Sequence, residues 1–175
     1  MKVLFLTNGT VHGQQMLEAI DGEPTVNIDS IVYKDPNYVD FSKFSLKGKI
    51  VFKALKALPL GIGNRIRCLM GIPVEKKMPD RRYYSRFCSS VNRILKFNTQ
   101  ETANLLKSLS PDLIVLGGAP ILKEQILEIP TLGVLNAHPG ILPFYRGNDV
   151  IRWAVLQGDP VGVTVHFVNR GVDTG

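Results

Sequence analysis

Apolar positions along the chain fall into two rhythms. Residues 2–7 ("KVLFLT") and roughly 28–33 ("IDSIVY") are short apolar runs that predict buried strands. Between them, the spacing over about 13–20 predicts an amphipathic helix. Further on, Asn98 or Thr99 can cap a helix whose Ala103, Leu106 and Leu109 make an apolar stripe. Leu113-Ile114-Val115-Leu116 predicts a strand covered on both faces, and "GVLNAH" (133–138) predicts another. "DVIRWAVLQG" predicts a helix ended by Gly158, and "VGVTVHFV" (161–168) alternates as a strand does. Strands alternating with helices predict an α/β fold, a Rossmann-like, mostly parallel sheet with helices on both faces. No internal repeat or low-complexity tract interrupts it.

One stretch does not fit the rhythm. Over 41–97, Lys and Arg interleave with apolar residues, helical character stops at Pro59, and "KKMPDRRYYSR" is loop-like. These residues are expected to form a basic helical insertion between the second and third sheet strands. Charge sharpens that reading. Residues 42–96 hold fourteen of the 21 Lys and Arg but only Glu75 and Asp80 as acids, netting +12; the other seven cations and thirteen acids net −6. Three readings stay open: a solvated basic face, an electrostatic collar for an anionic substrate, or a surface for peripheral contact with membrane phosphates. Nucleic acid is not expected, because no recognition-motif spacing is visible.

The remaining composition narrows the class. At 175 residues, 45% hydrophobic and 21% charged, the chain suits one soluble domain with a real core. No apolar run approaches the ~18 residues of a membrane span, and "MKVLFLT" is too short for a signal-peptide core. Cys68 and Cys88 make no disulfide framework, so a cytoplasmic location is expected. Cys/His spacings of metal sites are missing, so no metal is expected.

The candidate chemistry lies in "LNAHPGILPFYRG" (135–147). Asn136 and His138 follow a strand and, two apart, should face the same way. Open α/β sheets hold their sites beyond the carboxyl ends of strands, and Asp173 should emerge at another such end. An amide can hold an oxyanion, an imidazole can move a proton near neutral pH, and a carboxylate can orient the imidazole. No Ser or Cys stands in a nucleophile-elbow pattern, which favours direct transfer over a covalent enzyme intermediate. Taken singly, His138 reads as a structural cap and Asp173 as a turn residue; their joint occurrence carries the chemistry.

"NAHPGILPFYRG" followed by "GVTVHFVNRGVDTG" resembles the core of the folate-dependent formyltransferases, which act on glycinamide ribonucleotide, methionyl-tRNA or nucleotide-linked amino sugars. The resemblance is clear from about residue 99 onward, weaker over 2–35 and absent over the basic segment. It implies one formyltransferase-like catalytic domain over 1–175, with 10-formyltetrahydrofolate as formyl donor and a small-molecule primary amine, anionic if the basic segment faces it, as acceptor. Asn136 would polarise the formyl carbonyl, His138 would serve as acid/base, and Asp173 would position it and a bridging water. The "LGGAPIL" loop, with Leu116, Gly117, Ile121 and Leu122, would form an apolar pterin pocket. Asn169, Gly171 and Val172 would close its other side. Asn8-Gly9-Thr10 loosely echoes a phosphate cradle, and Arg146-Gly147 would wall the site toward the acceptor. A nucleotide-linked amino sugar fits the basic charge best; a glycinamide ribonucleotide acceptor and water, giving a hydrolase, are the alternatives. Relatives continue past Asp-Thr-Gly where this chain stops at Gly175, so the resemblance also implies either a fragment or a missing bordering element.

Overall fold

The computed structural model describes residues 1–35 and 79–174. The part of the expected basic insertion that falls on 41–78 lies outside them. In chain order the elements are β1 (Val3–Thr7), α1 (Val11–Asp21), β2 (Ser30–Lys34), α2 (Arg81–Tyr84) and β3 (Ser90–Ile94). Then follow α3 (Gln100–Leu109), β4 (Leu113–Gly117), α4 (Glu124–Leu127), β5 (Gly133–His138), α5 (Val150–Gln157) and β6 (Thr164–Phe167).

The six strands form one sheet in the order β3-β2-β1-β4-β5-β6. All neighbours are parallel except β5 and β6, which run antiparallel. This is the expected Rossmann-like architecture, with the chain reversing its direction of growth between β1 and β4. Apolar side chains of one face, among them Leu4, Leu6, Val32, Ile114 and Val134, pack beneath Ala103 and Leu106 of α3. On the other face Phe5, Ile31 and Val91 meet Leu17 of α1 and Tyr84 of α2. Each of the first strands alternates between these two layers, which is why β1 is apolar from Val3 to Leu6 and buried at all five positions.

Two expectations are corrected. The insertion expected over 41–97 is too long at its carboxyl end: residues 90–94 belong to the sheet, and 81–84 form a helical turn capped by Asp80, whose carboxylate accepts the Tyr83 N–H. Strand β3 pairs with β2 at the sheet edge, where Asn92 and Arg93 can reach solvent while Val91 and Ile94 are buried. The last strand is also shorter than its alternation predicts, since Val161 and Val163 precede it and are exposed. Among the described residues no helix is long and apolar enough to cross a membrane.

The switch point between β1 and β4 is held tightly. The Thr7 hydroxyl donates to the Gly117 carbonyl at 2.6 Å, and the Asn8 N–H donates to the Gly118 carbonyl at 2.8 Å. Helix α1 sits close over this end of the sheet: a Cβ at Gly13 would come within 2.0 Å of the Gly117 oxygen. Only glycine permits that approach.

Candidate active site

Strand β5 delivers Asn136 and His138 to the carboxyl end of the sheet, on one side, as strand alternation requires. The following loop folds back over the imidazole. Gly140 lets it do so, because a Cβ there would lie 2.7 Å from the Tyr145 oxygen and 3.0 Å from His138 Nε2. The Tyr145 carbonyl stands 2.8 Å from His138 Nε2. A carbonyl only accepts, so Nε2 carries a proton and Nδ1 is the nitrogen turned toward Asp173. Thr164 of β6 ties the loop down, donating to the Gly140 carbonyl and accepting the Leu142 N–H.

Asp173 completes the group. Its backbone is left-handed (φ 43°), which turns the carboxylate back toward β5. One oxygen lies 3.6 Å from His138 Nδ1 and accepts the Gly147 N–H at 3.0 Å. The His138 side chain is 5% exposed and that of Asp173 20%, so the pair sits at the floor of the site and not in bulk water. Asp173, distant in sequence, is thus brought together with Asn136 and His138.

Asn136 and Asp173 line a cleft of about 270 Å³. Leu116, Ile121 and Leu122, expected on the pterin side, and Asn169, Gly171 and Val172, expected to close it, all line the cleft. Ala119, Pro120, Asn148 and Val168 also line it and were not singled out in the sequence. Gly147 is present at the cleft, as expected of a residue walling the site.

Other candidates are placed elsewhere. Gly117 is in the core: a Cβ there would meet the Phe5 ring at 2.2 Å, so the residue serves packing. The Thr10 side chain caps α1 by accepting the Gly13 N–H, and the Asn8 side chain accepts the Thr10 N–H. With Gly9 they form the turn after β1 and do not line the cleft. Arg146 is exposed and donates from Nε to the Pro143 carbonyl. The neighbouring Tyr145 hydroxyl hydrogen-bonds the Asp159 carboxylate, which raises its pKa above the ordinary phenol value.

Three residues emerge that sequence reasoning missed. His166 stands directly opposite Asn136 in the β5–β6 register. His12, on the first turn of α1, places Nε2 3.3 Å from the Ala137 carbonyl, so all three histidines of the chain meet at the end of β5. Asn98 clamps the cleft loop: its amide donates to the Ile121 carbonyl and accepts the Lys123 N–H, each at 2.8 Å. Thr99 is the helix cap, which leaves Asn98 free for that clamp. Alternation in "TVHF" gave His166 a side of its strand but not its partner; Asn98 and His12 carried no sign.

The formyl transferase family matches residues 1–175. The chain belongs to it. A methionyl-tRNA formyltransferase of Clostridioides difficile (strain 630) is 42% identical over 83 residues, 46% of this chain and 27% of that protein. The formyl transferase chain thus matches about a quarter of the length of this curated relative. Among solved structures, glycinamide ribonucleotide transformylase 1 from Symbiobacterium toebii superposes with a TM-score of 0.58 at 18% identity, over 99% of this chain and 68% of that one. A sugar N-formyltransferase from Shewanella sp. gives 0.52 at 17% identity, over 100% and 54%. At those identities the likeness is one of fold.

Proposed function

We propose that this formyl transferase domain moves a formyl group from 10-formyltetrahydrofolate to a primary amine by direct attack, through a tetrahedral intermediate. One observation carries the reading: Asn136 and Asp173 both line the same cleft, with His138 3.6 Å behind the carboxylate. The Asn136 amide can donate to the oxygen that gains charge as the amine nitrogen bonds the formyl carbon. Asp173 and His138 can take the proton the amine loses and return one to the folate nitrogen as its bond to carbon breaks, so the reaction balances without a net proton. The walls suit the donor's bicyclic ring. They are apolar at Leu116, Ile121, Leu122 and Val172, and the volume sits just under the ~300 Å³ lower end for small-molecule pockets.

The acceptor is a separate question. The net charge of residues 42–96 favours an anionic amine, such as a nucleotide-linked amino sugar. Methionyl-tRNA joins the candidates because the C. difficile relative bears that name, and this reopens the expectation of no nucleic acid. The test is to incubate the full-length protein with 10-formyltetrahydrofolate and, in turn, a nucleotide-linked amino sugar, glycinamide ribonucleotide, methionyl-tRNA or no amine. Deformylated folate is followed by absorbance. Amine-dependent release supports the proposal. Release that ignores every amine makes water the acceptor, and bound folate with no release at all overturns formyl transfer.

A further inference from the structure

His166 has three neighbours that together define its state. The Phe167 carbonyl lies 3.1 Å from Nδ1, so Nδ1 carries a proton. In the neutral ring Nε2 is then a lone pair. It faces Asn136 Nδ2 at 3.5 Å, while Asp173 Oδ1 stands farther off at 3.9 Å. The ring's side chain is only 5% exposed, so bulk water does not compete for these contacts.

We propose that His166 is a positioning residue for formyl transfer, its Nε2 lone pair holding the Asn136 amide nitrogen-first so that the second N–H points into the cleft. This rests on the formyl-transfer reading of the same site. An asparagine amide rotates about a broad, roughly two-fold torsion and by itself has no reason to prefer one end. With Oδ1 turned the other way it would meet a developing oxyanion acceptor to acceptor. An imidazole lone pair directly across the antiparallel register removes that orientation, because two acceptors cannot share the gap. Asp173 does not compete for that lone pair: its Oδ1 stands 3.9 Å away, beyond hydrogen-bond distance, and its Oδ2 accepts the Gly147 N–H.

The test compares full-length wild type with His166→Leu and His166→Gln. Glutamine offers a carbonyl oxygen that can accept from Asn136; leucine offers nothing. Loss of a whole oxyanion donor costs about 100–1000-fold in kcat, and a donor merely left free to turn should cost less, about tenfold. His166→Leu is expected to lower kcat by about that factor with the donor KM within about twofold, and His166→Gln to recover most of it. Equal losses in both variants, or wild-type turnover in His166→Leu, overturn the proposal. A measurement on the wild type needs no variant to fold: ring 15N shifts should report the Nδ1–H tautomer for His166, and an Nε2–H tautomer overturns the proposal whatever the kinetics. Failure of formyl transfer itself is distinguishable, because the wild type would then turn over no amine while binding folate.

Discussion

Gly13→Ala sets two physical effects against each other at the seam that positions the site. Alanine is the better helix former, by at most about 1 kcal/mol. The added Cβ, however, would lie 2.0 Å from the Gly117 oxygen, 2.7 Å from its carbon and 2.9 Å from Thr7 Oγ1. The first two are backbone of β4 and cannot rotate away, so α1 must recede by about 1 Å from a close-packed interior. Overpacking of this kind costs about 1–3 kcal/mol, and an immovable neighbour puts it near the top of that range. Pulling Thr7 off the Gly117 carbonyl adds about 1 kcal/mol. Packing wins, with a net destabilisation of about 3 kcal/mol. For a domain of this size that lowers Tm by roughly 6–12 °C. Gly22→Ala is the control at the other end of the same helix: its φ is −73°, and the nearest atoms to a new Cβ lie at 3.6 and 3.7 Å, so it should be neutral or slightly stabilising. Calorimetry on the two variants decides. A Gly13→Ala protein as stable as wild type would mean that α1 does not sit against the end of β4, and the placement of the loop after β1 would fall with it.

Three further changes probe the site and its frame. Asn136→Ala should reduce kcat by about 100–1000-fold while folate affinity, followed by fluorescence, changes by only a few fold; a loss below about tenfold would remove Asn136 as the oxyanion donor. Asn98→Leu unhooks Ile121 and Lys123 from the cleft wall, at about 1 kcal/mol for each hydrogen bond, and should raise the donor KM about tenfold with kcat within about twofold. An unchanged KM would show that the clamp does not shape the donor pocket. Asp112 is held below the ordinary carboxylate range, chiefly by the Lys2 N–H it accepts at 2.7 Å. A depressed folded pKa gives stability that is present above about pH 4 and is lost as pH falls through the lower folded value. Acid titration of stability should therefore be steeper below pH 4 in wild type than in Asp112→Asn, and parallel curves would refute the assignment.

What could be read from the sequence follows from how local each signal is. Strands β1 and β4 are apolar runs covered on both faces, so composition alone marked them. Helix α3 was marked by Thr99 at its cap and by Ala103 and Leu106 on its buried face. Strand β3 was hidden because it is an edge strand in a basic stretch, with Asn92 and Arg93 between its buried positions, and its partner Ser30–Lys34 lies far back in the chain. The trio of Asn136, His138 and Asp173 was legible because all three follow strand ends. Asn8, Thr10 and Gly117 were legible for the same reason. They too stand at strand ends, but the switch point uses their polar groups to cap α1 and bind β1 to β4. His166 needed the antiparallel register, which no periodicity within one strand can supply.

The register also explains an asymmetry within β5 that bears on the proposed chemistry. Asn136 and His138 share a face of the strand, yet Asn136 opens on the cleft while His138 is 4% exposed and does not line it. The difference comes from the loop behind them, where Gly140 and the Tyr145 carbonyl close over the imidazole and take up its Nε2 proton. His138 is left with one free nitrogen, aimed at Asp173, and Asp173 in turn lines the cleft. Any proton that passes between a bound amine and His138 must therefore cross Asp173 or a water held by it. On the proposed function, charge stabilisation and proton traffic approach the reacting carbon from two separate residues, and only the second has to move anything. That division is why the amide can be fixed rigidly in place while the carboxylate sits at a left-handed turn on the loop that closes the cleft.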